Sequence, residues 1–112
     1  MDIKELLKSI EPKSDQLNAD DLLTGSRTVV ISKVSGGNKE QPVVINYEGD
    51  NGKPYKPCKS MRRVLIAVWG EDAREWVGRA MTLYADPEVV FGGVKVGGIR
   101  ISHMSNITHL LS

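Results

Sequence analysis

Residues 59–84 constrain the chain more than any other stretch. Met61, Val64, Leu65, Val68 and Trp69 recur at the i, i+3, i+4, i+7, i+8 spacing of a helix with one buried stripe. Arg62 and Arg63 fall off that stripe. Ser60 is expected to cap the helix, its hydroxyl accepting an orphan N–H of the first turn. Gly70 stands where a helix ends in the left-handed region. Glu71 and Asp72 begin a second short turn, from which Trp76 and Val77 return apolar surface to the core. Beyond Gly78, Met81 and Leu83 alternate with Thr82 and Tyr84, the period of a strand. A helix feeding a strand through buried tryptophans gives the rest of the chain something to pack on.

Ahead of this stretch, Ile3, Leu6, Leu7 and Ile10 have helical spacing, and Pro12 ends the short helix they predict. Residues 11–26 are polar and acidic, with Leu17, Leu22 and Leu23 as docking points for a tether or partner segment. Thr28 to Val34 is rich in β-branched residues and reads as a strand. Ser35-Gly36-Gly37-Asn38 is turn chemistry. Gln41 to Glu48 is a second strand, with Val43, Ile45 and Tyr47 on one face and Val44, Asn46 and Glu48 on the other. Lys53 to Cys58 is a short extended piece, held to an edge or an irregular strand by Pro54 and Pro57. After the helix come strands at Arg79–Ala85, Val89–Phe91 and Ile99–Ser102, with Gly92-Gly93 and Gly97-Gly98 bracketing Val94–Val96.

The order strand, strand, short strand, helix, strand, strand predicts a mainly β fold. An OB-like β-barrel has this plan, with one prominent helix between strands 3 and 4. Another small barrel, or an open α+β sheet with one packed helix, is the alternative. The expected organisation is an acidic arm with a short helix at 1–26, a barrel domain at 27–102 and a C-terminal tail at 103–112. At 112 residues this is one domain.

Charge is uneven along the chain. Residues 1–26 hold three lysines against six carboxylates, whereas residues 27–112 hold twelve basic and eight acidic residues. Lys53, Lys56, Lys59, Arg62 and Arg63 form a run with no acid among them, which is either a solvated face or a patch for an anionic partner. The single Cys58 excludes an internal disulfide and fits a reducing compartment. No apolar run approaches membrane-spanning length, and the N-terminus lacks the order of a signal peptide. These features predict a soluble protein of the cytoplasm, without a membrane partner.

No catalytic signature stands out. His103, His109 and Cys58 do not have the spacing of a four-ligand zinc site. His103 beside Ser102 and Ser105 lacks the context of a nucleophile and base. Asp86 and Glu88 flank Pro87 as turn residues. The glycine pairs lack the lysine ending of a phosphate-binding loop. A non-enzymatic chain with no cofactor and no metal is expected.

Single-strand binding needs a cationic groove and aromatic faces. Lys33, Lys53, Lys56, Lys59, Arg62, Arg63, Lys95 and Arg100 are the basic candidates. Tyr55, set within the basic run, is the leading stacking candidate, followed by Tyr84 and Phe91; Trp69 and Trp76 are assigned to the core. The other reading is a protein-interaction module, with the acidic arm docking on a partner or covering the basic groove in cis.

Several segments also resemble a family of small phage and prophage proteins. They are Leu17-Asn-Ala-Asp-Asp-Leu22, Thr28-Val-Val-Ile31, Pro42-Val-Val-Ile-Asn-Tyr-Glu-Gly49, Trp69-Gly-Glu-Asp72, Trp76-Val-Gly-Arg-Ala-Met-Thr-Leu-Tyr84 and Phe91-Gly-Gly-Val-Lys-Val-Gly-Gly-Ile-Arg-Ile101. The resemblance covers roughly residues 17–102 and implies an OB-like fold in a phage replication or recombination module. It implies single-stranded DNA as the partner, in the cytoplasm of a host bacterial cell. A phage or host DNA-metabolism protein and a second copy of the chain are the other partners it leaves open. An inhibitory module acting on a host nuclease or defence complex is the alternative. The chain departs from the family's pattern at Tyr55–Ser60, so no residue role in the basic run is carried over.

Overall fold

β1, Arg27–Gly36, pairs on both edges with different halves of its length. The computed structural model describes residues 2–9 and 15–106, the side chains of Leu7, Lys8, Ser9 and Phe91 excepted. Arg27 to Val30 pair with β3, Ala80–Asp86, and Ile31 to Gly36 pair with β2, Val43–Tyr47. The changeover falls at a bulge between Ile31 and Lys33. An extra residue on one strand bends it and increases its twist, so β1 can serve two neighbours. β3 pairs in turn with β6, Gly98–Met104, through a second bulge between Thr82 and Leu83. The result is an antiparallel sheet in the order β2-β1-β3-β6.

α2, Lys59–Trp69, lies between β2 and β3 in the chain. Its stripe is buried as the spacing predicts, through Met61, Leu65, Val68 and Trp69. Leu65, Val68 and Trp69 meet Val29, Ile31, Ile45, Met81 and Leu83 from the sheet in one core. Fully burying a Leu, Ile or Met side chain is worth about 1.5–3 kcal/mol, so these residues dominate stability. Trp69 also donates its indole N–H to the Ser105 carbonyl at 2.6 Å, and Trp76 donates to the Gly70 carbonyl at 3.2 Å. Both tryptophans therefore bury their rings with the polar N–H satisfied.

The segment before β1 is part of this core. Leu17 and Leu22 are each only 3% exposed, and a 3-10 turn at Ala19–Leu22 packs on β3. The Leu17 N–H donates to the Pro54 carbonyl at 2.9 Å. The arm expected over residues 1–26 is thus docked from Gln16 to Leu22, although Leu23 is exposed. α1, Ile3–Ser9, presents Ile3 and Leu6 to solvent. Ile10 lies outside the described residues.

Other expectations are corrected. Cys58, which is exposed, occupies the N-cap of α2 and makes no side-chain cap, while Ser60, the expected cap, lies inside the helix. Val77 is half-exposed rather than core. The piece at Lys53–Cys58 forms only one bridge, Ile45 with Tyr55. The last strand runs past Ser102 to Met104, and Ser105 accepts the Ala80 N–H on Oγ at 2.9 Å. That packs the start of the expected tail against β3; residues 107–112 lie outside the described residues. β4, Val90–Phe91, and β5, Val94–Lys95, form a separate hairpin. The four-stranded sheet itself is not closed, with β2 and β6 at its ends. Among the described residues no helix is long and apolar enough to cross a membrane.

Candidate functional site

Pro54 and Pro57 flank Tyr55, and a proline has no N–H to give to a ladder. The segment therefore holds β2 at one point, where Ile45 and Tyr55 exchange both backbone bonds at 2.8 Å. Opposite this segment lies the start of β6. A groove of about 750 Å3 occupies the space between them. Tyr55, Lys56, Cys58, Lys59 and Ser60 line it on one side and Gly97 to Arg100 on the other, with Gln16 to Asp20 also contributing to the lining. Gly97 has φ +77°, a left-handed turn between the hairpin and β6.

Three basic candidates meet in this groove: Lys56, Lys59 and Arg100. Arg100 stands opposite Tyr84 in the β3–β6 register, and its Nε lies 3.9 Å from Asp86. The others are dispersed or occupied. Lys53 pairs with Asp21 at 3.1 Å and Lys95 with Glu88 at 2.7 Å. Arg62 turns back to the Pro57 carbonyl at 2.8 Å. Arg63 is exposed on α2, and Lys33 is exposed on β1 opposite Asn46. The acid-free run in the sequence is thus not one patch in space.

Tyr55 is corrected most sharply. It is 2% exposed and belongs to the core, so its ring has no face to offer a base. Its hydroxyl is buried without a partner among the described residues. Burial pushes the hydroxyl's ionisation well up; the neighbouring Cys58 adds to this and Arg100 opposes it. Tyr84 is half-buried, with its register partner Arg100 beside it. The Phe91 side chain lies outside the described residues.

The sequence allowed the arm to cover a basic groove in cis but singled out none of its polar residues for the site. Gln16, Asn18 and Asp20 join the groove because Leu17 is anchored in the core beside them. The apolar spacing of Leu17 and Leu22 was the available signal, but it does not identify the surface they cover. Nearby, the Asn18 backbone N–H and the Lys53 ammonium hold the Asp21 carboxyl below the usual carboxylate range. The Asn46 amide and the Gly52 and Tyr47 N–H groups do the same for Asp50. These contacts tie the 3-10 turn to Lys53 and close the turn after β2 on itself.

The one nucleophile-and-base pair weighed in the sequence lies apart from the groove. Ser102 Oγ and His103 Nδ1 are 2.9 Å apart, but both residues are exposed neighbours on β6. Neither lines the groove. Among the described residues no three His, Cys, Asp or Glu side chains gather as a metal site requires; His109 lies outside them. No family model, curated protein or solved structure matches the chain.

Proposed function

We propose that the chain is an OB-type barrel that binds single-stranded nucleic acid without catalysis. The fold half of this reading rests on neighbour order. From the Tyr55 segment the order runs to β2, β1, β3 and β6, with α2 inserted after the third piece. An OB barrel has this plan once its third and fifth strands approach. Here that seam holds the groove.

The observation that carries the functional half is the convergence of Lys56, Lys59 and Arg100 on one groove from opposite sides of the seam. Cations set along a groove track a phosphate backbone, and Tyr84, opposite Arg100 in the register though outside the groove's lining, is a stacking candidate. Lys33 and Arg63 lie outside the groove. The setting that the resemblance implies, phage replication or recombination in a bacterial host, completes the proposal. Fluorescence anisotropy with labelled single-stranded and duplex oligonucleotides at two salt concentrations tests it. Salt-sensitive binding that favours the single strand is expected; binding to neither would refute it.

A second reading has one observation of its own. Val90, Val94 and Val96 are all more than half exposed on and beside the β4–β5 hairpin. Exposed apolar surface of this kind marks protein contacts, and an inhibitory or partner-docking phage module would use it. A pull-down in which a Val94→Asp variant loses a partner held by the parent chain would support that reading.

A further inference from the structure

The start of α2 is uncapped where it meets the groove. Cys58 holds the N-cap position without a side-chain bond, so no side chain of the cap satisfies the amides of the first turn. Such amides, with the helix dipole behind them, attract an anion. Lys59 and Ser60 of that turn line the groove, as do Lys56 just before it and Arg100 across the seam.

A second observation points to a ligand independently. Among the described residues only three buried side-chain polar atoms lack a partner: the Tyr55 hydroxyl, Gln16 Oε1 and Arg79 Nη1. Tyr55 and Gln16 both line this groove. Buried polar groups in folded proteins are nearly always bonded, so two orphans on residues lining one groove mark a place for a polar partner, water or ligand. The hydroxyl offers a donor to an anion. The amide oxygen offers an acceptor to an amine or hydroxyl.

We propose that the groove is a phosphomonoester site that takes the phosphorylated end of a single strand. The phosphate sits at the first turn of α2 between Lys56, Lys59 and Arg100, within reach of Tyr55. Gln16 accepts a hydrogen bond from the terminal nucleotide. The inference rests on the nucleic-acid reading above and narrows it to a strand end. Charge favours an end over an internal link. The lining carries three cations against one carboxylate, Asp20, and a second carboxylate, Asp86, stands 3.9 Å from Arg100 just outside it. A terminal phosphate brings about −1.5 to −2 at neutral pH, whereas an internal diester brings a single charge. The volume falls within the roughly 300–1,000 Å3 of small-ligand sites, suited to one nucleotide rather than a run.

The test compares three labelled oligonucleotides of one sequence, ending in a 5′-phosphate, a 3′-phosphate or hydroxyls only. One phosphorylated end should bind about tenfold tighter than the hydroxyl ends, as added charge-assisted bonds require. Lys59→Ala and Tyr55→Phe should each narrow that gap. In parallel, a free nucleoside monophosphate is titrated while the Lys59, Ser60 and Met61 amides are followed by NMR. Shifts at those amides with no oligonucleotide binding would keep the phosphomonoester site and sink the nucleic-acid reading. Equal affinity for all three ends would overturn the inference while leaving that reading intact. No amide shift with the monophosphate, together with no preference among ends, would remove the site altogether.

Discussion

Ile45 and Tyr55 exchange both of their backbone hydrogen bonds, each at 2.8 Å, and this single bridge decides the architecture around the groove. It holds the segment after β2 against the sheet, drives the Tyr55 ring into the core and leaves Lys56 beside the seam. With prolines on both sides the pairing cannot spread, so the seam opposite β6 stays open.

The buried Tyr55 hydroxyl gives a direct stability prediction. A buried polar group without a partner costs about 1–3 kcal/mol. Tyr55→Phe keeps the ring and removes the orphan, so the unliganded protein should gain up to about 1 kcal/mol. Urea midpoints measure this. A clear loss of stability would mean that the hydroxyl has a bonded partner in solution.

The glycine pair where β1 ends and the turn to β2 begins behaves asymmetrically. A Cβ at Gly37 would run into the Gln41 carbonyl oxygen, whereas one at Gly36 would meet nothing within 4 Å. Gly37→Ala should therefore cost about 1–3 kcal/mol, in the range of overpacking. Gly36→Ala should stay within about 0.5 kcal/mol, as surface changes do. Thermal or urea unfolding of the two variants separates them, and equal losses would contradict the turn geometry.

Acid should weaken the fold through Asp21 and Asp50. Both carboxyls have folded-state pKa values lowered by the hydrogen bonds they accept. A depressed pKa contributes stability above the unfolded value, near 3.9. That contribution is lost as pH falls through the folded value. Asp50→Asn should therefore lower the urea midpoint at pH 7, with the gap to the parent closing below about pH 4. A gap independent of pH would show that the ionised carboxylate is not what the turn uses.

Much of the fold was readable because it is written in local periodicity. The stripe from Met61 to Trp69 and the alternation of Met81 and Leu83 each specify one buried face, and the structure buries both. Tyr55 was not readable in this way. A single-bridge segment between two prolines has no alternation to show which side faces in, and its burial comes from Ile45 and α2. The cationic run misled for a related reason. Adjacency from Lys53 to Arg63 is lost once α2 begins at Lys59. Lys53 then meets Asp21, and Arg62 folds back on Pro57. Arg100, far along the chain, joins the groove only because β3 and β6 pair. Whether the seam closes is likewise a question of long-range register, which no local pattern carries.

The central claim is that cations gathered at the seam hold a nucleic-acid strand, and charge reversal tests it most directly. Anisotropy titrations with a labelled single strand would compare the parent chain, the Lys56→Glu/Lys59→Glu double variant and Arg63→Glu at about 50 and 200 mM salt. With three phosphate contacts the parent should lose roughly twentyfold in affinity across that range. The double variant should bind more weakly at both concentrations with a flatter salt dependence, and Arg63→Glu, off the groove, should change far less. Unchanged affinity and slope in the double variant would contradict the account.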